Sequence, residues 1–269
     1  MTEAKPLSPL EFAWLGRDQW RTYTGPVARF FVRSFGPLGI HARIRNAHMI
    51  RILASEHPLE DASFLDAGCG HGYTLFWLAR RCTRCQLHGV DLDASLISKN
   101  RQVTASLGIP HLRFTQGDAG DVGQPDHYDV IYSIDLLEHV DDDVAVLRSW
   151  RDALADDGLL VLHLPLRHQM QRRLIPRFRA HTISDHVRDE YTLDEIHEKL
   201  RLVGFRIDRT EQGFGLAGEL AFELNNLFWE HPLLRTLAAL VTLPLALALG
   251  YLDTIRPPQQ GNSFLIVAR

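Results

Sequence analysis

Ser63-Phe64-Leu65-Asp66-Ala67-Gly68-Cys69-Gly70-His71-Gly72 is the stretch that decides the fold. A short apolar run ends in an acid, glycines follow at alternate positions, and TLFWLARRC (74–82) then reads as a helix. Glycines at a strand-to-helix turn let the backbone approach a ligand closely. Open α/β sheets bind their ligands at the carboxyl ends of the strands. The spacing here is G-x-G-x-G, and Tyr73 stands where a dinucleotide fingerprint puts its third glycine. A carboxylate at Asp66 would repel a pyrophosphate and suits a cationic ligand.

The same rhythm extends outward from this turn. Strand candidates are QLHGVD (86–91), LRFTQGD (112–118), YDVIYSI (128–134), GLLVLHLP (158–165), FRIDRTE (205–211) and SFLIVAR (263–269). ASLISKNRQVTASLG (94–108) and DDVAVLRSWRDALA (142–155) are helical stretches between them. Continuous apolar runs mark strands covered on both faces. Seven such runs interleaved with helices predict an α/β fold with a doubly wound, mostly parallel sheet. The chain of 269 residues has room for that core and additions to it. Residues 1–60 form a helical lead-in rich in arginine and aromatics, within which HARIRNAHMIRILASEH (41–57) is one amphipathic helix stopped near Pro58. The core is assigned to 61–213 and 261–269, and a hydrophobic helical insertion to 214–260.

DAGCGHG (66–72) resembles the first motif of the class I S-adenosylmethionine-dependent methyltransferases, acidic-x-Gly-x-Gly-x-Gly. The resemblance covers residues 60–211 and the last strand. It implies a Rossmann-like fold, S-adenosylmethionine as the cofactor and an enzyme that transfers its methyl group. It implies that the turn of Asp66, Gly68, Cys69 and Gly70 holds the methionine and ribose portion. Asp91 would accept hydrogen bonds from the ribose hydroxyls, and Asp118 from the adenine amino group, with the Ala119 amide facing the ring. Leu92 and Ile134 complete the implied cofactor set. The bland alternative is that Asp66, Asp91 and Asp118 only cap helices or turns.

Ile134-Asp135-Leu136-Leu137-Glu138-His139-Val140 follows the fourth strand and would bring Asp135, Glu138 and His139 near the transferable methyl. Relatives that methylate nucleic-acid amines carry Asn/Asp-Pro-Pro-aromatic there. This chain does not, which argues against a nucleic-acid acceptor. Glu-His at this point resembles the small-molecule and lipid methyltransferases, although both residues would also serve to open the next helix. RHQMQRRLIPRFRAHTISDHVRDEYTLDEI (167–196) is long and unpatterned, as functional loops are. It supplies His186, Arg188 and Tyr191 as candidate acceptor contacts. His139, His186 and Tyr191 are the candidate catalytic residues, with His186 suited to act as base. In a chain with 14 histidines a surface or structural role is the competing reading for each. Thr192 to Glu195 has the pattern of a capping box.

The formal net charge of −4 gives no global attraction to nucleic acid, but charge is uneven. Arginines crowd residues 17–51 and 167–179. Three cysteines and no recognisable signal segment point to a reducing, cytoplasmic setting. Cys82-Thr-Arg-Cys85 with His88 lacks the second ligand pair of a structural zinc site, so no metal is expected.

Within the insertion, TLAALVTLPLALALGYL (236–252) carries no charge and approaches the length of a membrane span. Spanning is disfavoured, because SFLIVAR must return to the sheet that holds FRIDRTE. Pro244 predicts a break or kink. Three readings stay open. Residues 233–256 are a hairpin dipping into one leaflet beside the basic runs, a buried cap over a soluble acceptor, or a homodimer interface. The leading expectation is methylation of a hydrophobic small-molecule or lipid-like acceptor, in the cytoplasm or at the membrane surface. The alternatives are a soluble metabolite under a lid, and a cofactor-binding module without catalysis.

Overall fold

The structure is a computed structural model that describes residues 7–122, 127–166, 175, 190–227 and 231–269. Its sheet is built from β1 (Ser63–Ala67), β2 (Gln86–Asp91), β3 (Leu112–Gln116), β4 (Tyr128–Ile134), β5 (Leu154–Pro165), β6 (Ile207–Gly213) and β7 (Ser263–Ala268). The strand order is β3-β2-β1-β4-β5-β7-β6. β1 to β5 pair in parallel, and β7 runs antiparallel between β5 and β6. The order reverses beside β1, so the switch point falls where the glycine turn leaves that strand.

Side chains alternate across each strand. Leu159 and Val161 therefore face one layer and Leu160 and Leu162 the other. The first layer is α3 (Ile40–Glu56), α4 (Tyr73–Ala79) and α5 (Ala94–Leu107), contributing Met49, Leu53, Leu75 and Ile97. The second is α6 (Asp143–Ala153) and α7 (Leu193–Leu202), contributing Trp150, Ile196 and Leu200. Thr192 and Glu195 form the expected capping box of α7.

The lead-in continues outward as α1 (Pro9–Trp14), a 3-10 turn over Arg17–Thr22, and α2 (Pro26–Phe35). The insertion is α8 (Leu216–Asn225) and α9 (Pro232–Ile255). α3 is buried on two sides. Its Ile40, Ile44, Ala47 and Ile50 join Phe12 of α1, Ala221 of α8 and Ala246 of α9 in a third apolar cluster. Lead-in and insertion thus close on one another across α3. Asp253 fastens them: its Oδ1 accepts the amides of Gly215 (2.8 Å) and Gly218 (3.1 Å), and its Oδ2 lies 3.0 Å from His48 Nε2.

Two local expectations are corrected. α9 runs unbroken through Pro244. Pro244 and Leu240 both lie on its exposed side, where solvent can satisfy the carbonyl that the proline leaves without a donor. Cys82 and Cys85 are joined as a disulfide, against the reducing setting read from the three cysteines; the bond spans three residues and leaves Cys69 free.

Candidate cofactor and acceptor site

The cofactor half of the site is made by the ends of β1, β2 and β3. Gly68, Gly70 and Gly72 all have positive φ, so the turn holds backbone that side chains rarely adopt. At Gly68 a Cβ would meet Leu136 at 3.0 Å, whereas at Gly70 it would point into open space. That opening leaves room for a ligand against bare backbone. The Gly70 amide donates to Asp91 Oδ2 (2.8 Å), and the Asp93 amide to Asp91 Oδ1 (2.9 Å). Asp91 thereby braces the turn, and each of its oxygens keeps a lone pair for a hydroxyl. Leu92, beside it, is exposed although apolar.

Asp66 is buried, and its register partner on β4 is Tyr132. Burial pushes its carboxyl up to about 8; the Tyr132 hydroxyl opposes this and the nearby Asp91 carboxylate adds to it. A cation brought to this point would relieve both the burial and the repulsion. Cys69 is buried, and burial pushes its thiol up as well. At the end of β3 the Asp118 side chain is exposed and accepts the Gly120 amide (2.8 Å). Ala119 is buried, and its carbonyl accepts from Trp150 Nε1 (2.7 Å). Ile134 closes β4, half-buried. The turn is also held from outside. Gln19 Nε2 donates to the His71 carbonyl (2.7 Å) and to Asn100 Oδ1 (2.9 Å), and Asn100 Nδ2 donates to the Gly70 carbonyl (2.8 Å).

The acceptor half is a buried polar cluster where β4 and β5 end. Asp135 sits at φ 50°, a strained angle for a non-glycine residue. Its amide donates to the His163 carbonyl (3.0 Å), its Oδ1 lies 2.7 Å from His163 Nδ1, and its Oδ2 pairs with Arg45. Burial alone would raise this carboxyl, but Arg45 and His163 outweigh burial and hold it at about 2. Glu138, in the 3-10 turn Leu137–His139, has the opposite fate. Burial pushes it up to about 9, and the Asp135 carboxylate adds to that. His41 is lowered to about 4, by burial first and then by Arg45. Glu138 Oε2, His163 Nε2 and His41 Nδ1 are buried without a hydrogen-bond partner among the described residues.

The sequence singled out Asp135, Glu138 and His139 here, but not His41, Arg45 or His163. The only local signals were one histidine in the apolar run GLLVLHLP and the helical spacing of His41 and Arg45. His139 is half-buried on the same 3-10 turn as Glu138. Tyr191 is buried, and its hydroxyl reaches the Leu137 carbonyl (3.1 Å) and Asp143 Oδ2 (2.5 Å). That places it under the acceptor turn, as a support for it. His186, Arg188 and the basic run 167–179, apart from the non-basic Ile175, lie outside the described residues.

A family model described as a methyltransferase domain matches residues 65–160. The chain is 24% identical to the trans-aconitate 2-methyltransferase of Afipia carboxidovorans, over 48% of this chain and 51% of that protein. It is 29% identical to the ubiquinone biosynthesis O-methyltransferase of Yersinia pestis, over 43% of this chain and 48% of that one. It therefore spans about half the length of the curated relatives it matches. An S-adenosylmethionine dependent methyltransferase from Mesorhizobium loti shares the fold at a TM-score of 0.54 and 19% identity, covering 84% of this chain and 97% of its own. The (4+2)-cyclase SpnF shares it at 0.59 and 16%, covering 83% and 81%. At such identities these structures speak for the fold alone. Taken with the glycine turn and the acids that end β1, β2 and β3, the matches place the core of this chain among the class I S-adenosylmethionine-dependent methyltransferases.

Proposed function

We propose that this chain transfers the methyl group of S-adenosylmethionine to a lipophilic small molecule taken up at a membrane surface. The observation that carries the methyl-transfer part is the pair Asp66 and Asp91 at a glycine turn that stays open at Gly70. Bound there, the cofactor supplies a methyl group already activated by its sulfonium. What remains for the protein is positioning and exclusion of water. Asp91 and Asp118 accept from ribose and adenine, Leu92 covers an adenine face, and Asp66 faces the cationic portion. On the acceptor side, neutral Glu138 donates a hydrogen bond. Asp135 holds the proton on His163 Nδ1, so that Nε2 is the basic nitrogen. His139 and His186 remain candidate bases for an acceptor that must lose a proton.

The lipophilic part rests on α9. Only a third of Thr236–Ile255 is buried, although the segment is long and apolar enough to cross a membrane. Ala239, Leu243 and Ala246 face inward, while Leu237, Val241, Leu245 and Leu252 form a charge-free exposed stripe. A helix that only capped a soluble pocket would hide more of this surface. A helix that spanned would carry β7 away from the sheet it completes. The likeness to a ubiquinone-pathway enzyme agrees with a lipophilic acceptor; the likeness to a trans-aconitate enzyme favours the second reading, a soluble acid.

Transfer of tritium from methyl-labelled cofactor, followed by partition between organic and aqueous phases, tests both. Label in the organic phase supports the proposal. Label only in aqueous products supports the soluble reading, and no transfer at all leaves a cofactor-binding fold turned to other chemistry.

A further inference from the structure

The lead-in carries a second surface that methyl transfer does not use. α2 exposes Val27 (81%) and Phe30 (71%), one helical turn apart, with Phe35 partly exposed further along. Arg29 and Arg33 stand on the adjoining flank of the same helix, also exposed. Their guanidiniums sit over the Trp20 ring, 5.0 and 5.4 Å from its centroid, and Arg21 stacks on the same ring at 4.8 Å. Arg17 lies over Trp14 at 4.2 Å. The acid of this stretch, Asp18, pairs with Arg21 (3.3 Å) and Arg80 (2.5 Å). Among the described residues, Arg17, Arg29 and Arg33 have no carboxylate at ion-pair distance.

Three like charges around one indole repel each other, and the aromatic face together with the Asp18 carboxylate on Arg21 offsets this only in part. An anion outside the ring would offset the rest. The exposed apolar residues beside the arginines select which anion. A nucleic-acid backbone offers phosphate without a hydrophobic layer to receive Val27 and Phe30, whereas an anionic bilayer offers both. We infer that α2 and the Trp20 arginine cluster dock this protein on anionic phospholipid, with the arginines at phosphate level and Val27 and Phe30 inserted below it. The attraction is local, since the whole chain is net negative and charges beyond about 8 Å are screened at physiological salt. This surface is distinct from α9, and it holds whether or not the acceptor is lipophilic. It also adjoins the cofactor turn, because Gln19, which grips the His71 carbonyl, precedes Trp20.

Flotation with vesicles of phosphatidylcholine alone, or with about one-third phosphatidylglycerol, tests this at low and high salt. The wild-type chain should rise with the anionic vesicles and be released by salt. Arg29→Gln/Arg33→Gln and, separately, Val27→Ser/Phe30→Ser should each cut partitioning about tenfold or more. All four side chains are on the surface, so the circular dichroism and cofactor titration of these variants should match the wild type. Either pair floating like the wild type overturns the inference. So does a wild type that binds duplex DNA and ignores vesicles. If only Val241→Asp/Leu245→Asp in α9 abolishes flotation, docking belongs to α9 and α2 has no part in it. Failure of cofactor binding would strike the methyl-transfer proposal and leave these outcomes readable.

Discussion

Asp66 and Asp91 face the same turn, yet their surroundings treat them differently. Asp91 accepts two backbone amides, whereas Asp66 is buried and raised to about 8. In the free protein Asp66 is therefore protonated below about pH 8, and a cationic ligand must expel that proton. Cofactor affinity should rise with pH, by up to about tenfold per unit below pH 8, and level off above it. Asp66→Asn should bind weakly and without that slope. Titrations at several pH values check this, and a flat wild-type profile would contradict it. Asp91→Ala should abolish measurable cofactor binding with the fold intact by circular dichroism; normal affinity in that variant would refute the cofactor assignment. These two acids were legible in the sequence because each ends a strand and sits close to its glycines or one strand away. Arg45, Asp135 and His163 come from α3, the end of β4 and β5, and no local pattern joins them. Only the parallel register of β4 and β5, with α3 laid over the strand ends, brings them together.

At the scale of elements, the lead-in does more than precede the core. Gln19 on the first 3-10 turn clamps the carbonyl of His71 and the side chain of Asn100. Gln19→Ala should weaken cofactor binding roughly fivefold to tenfold through a looser turn, since each lost hydrogen bond is worth about 1 kcal/mol. Unchanged affinity by calorimetry would show that the turn stands without the clamp. The joint between α8 and α9 is fastened by more hydrogen bonds to one side chain, Asp253. Asp253→Ala would strand two helix-end amides and His48 Nε2 in a buried place. The expected loss is about 3 kcal/mol, seen as a fall of roughly 6–10 °C in Tm. α9 also shows where sequence reading stops. Its apolar composition was plain, but proline in a helix normally signals a break. The helix continues because the freed carbonyl faces outward, and exposure is a tertiary fact that the one-dimensional pattern does not carry.

For the whole molecule, the strand rhythm and the order of glycines and acids were enough to foresee the doubly wound core and its cofactor. They did not show that lead-in and insertion meet across α3, since that cluster joins Phe12 to Ala246 over the length of the chain. The meeting sets the layout. The cofactor half is braced by the lead-in, the acceptor half lies under α3, and both outer helices, α2 and α9, turn apolar side chains to the outside. A fold shared with a cyclase makes direct observation of the cofactor the deciding matter. The measurement that tests this most directly is calorimetric titration of the purified protein with S-adenosylmethionine and, separately, with NAD. Micromolar binding of the first and none of the second is the result expected from Asp66, Asp91 and the open turn at Gly70. Binding of NAD, or of neither ligand, would contradict it.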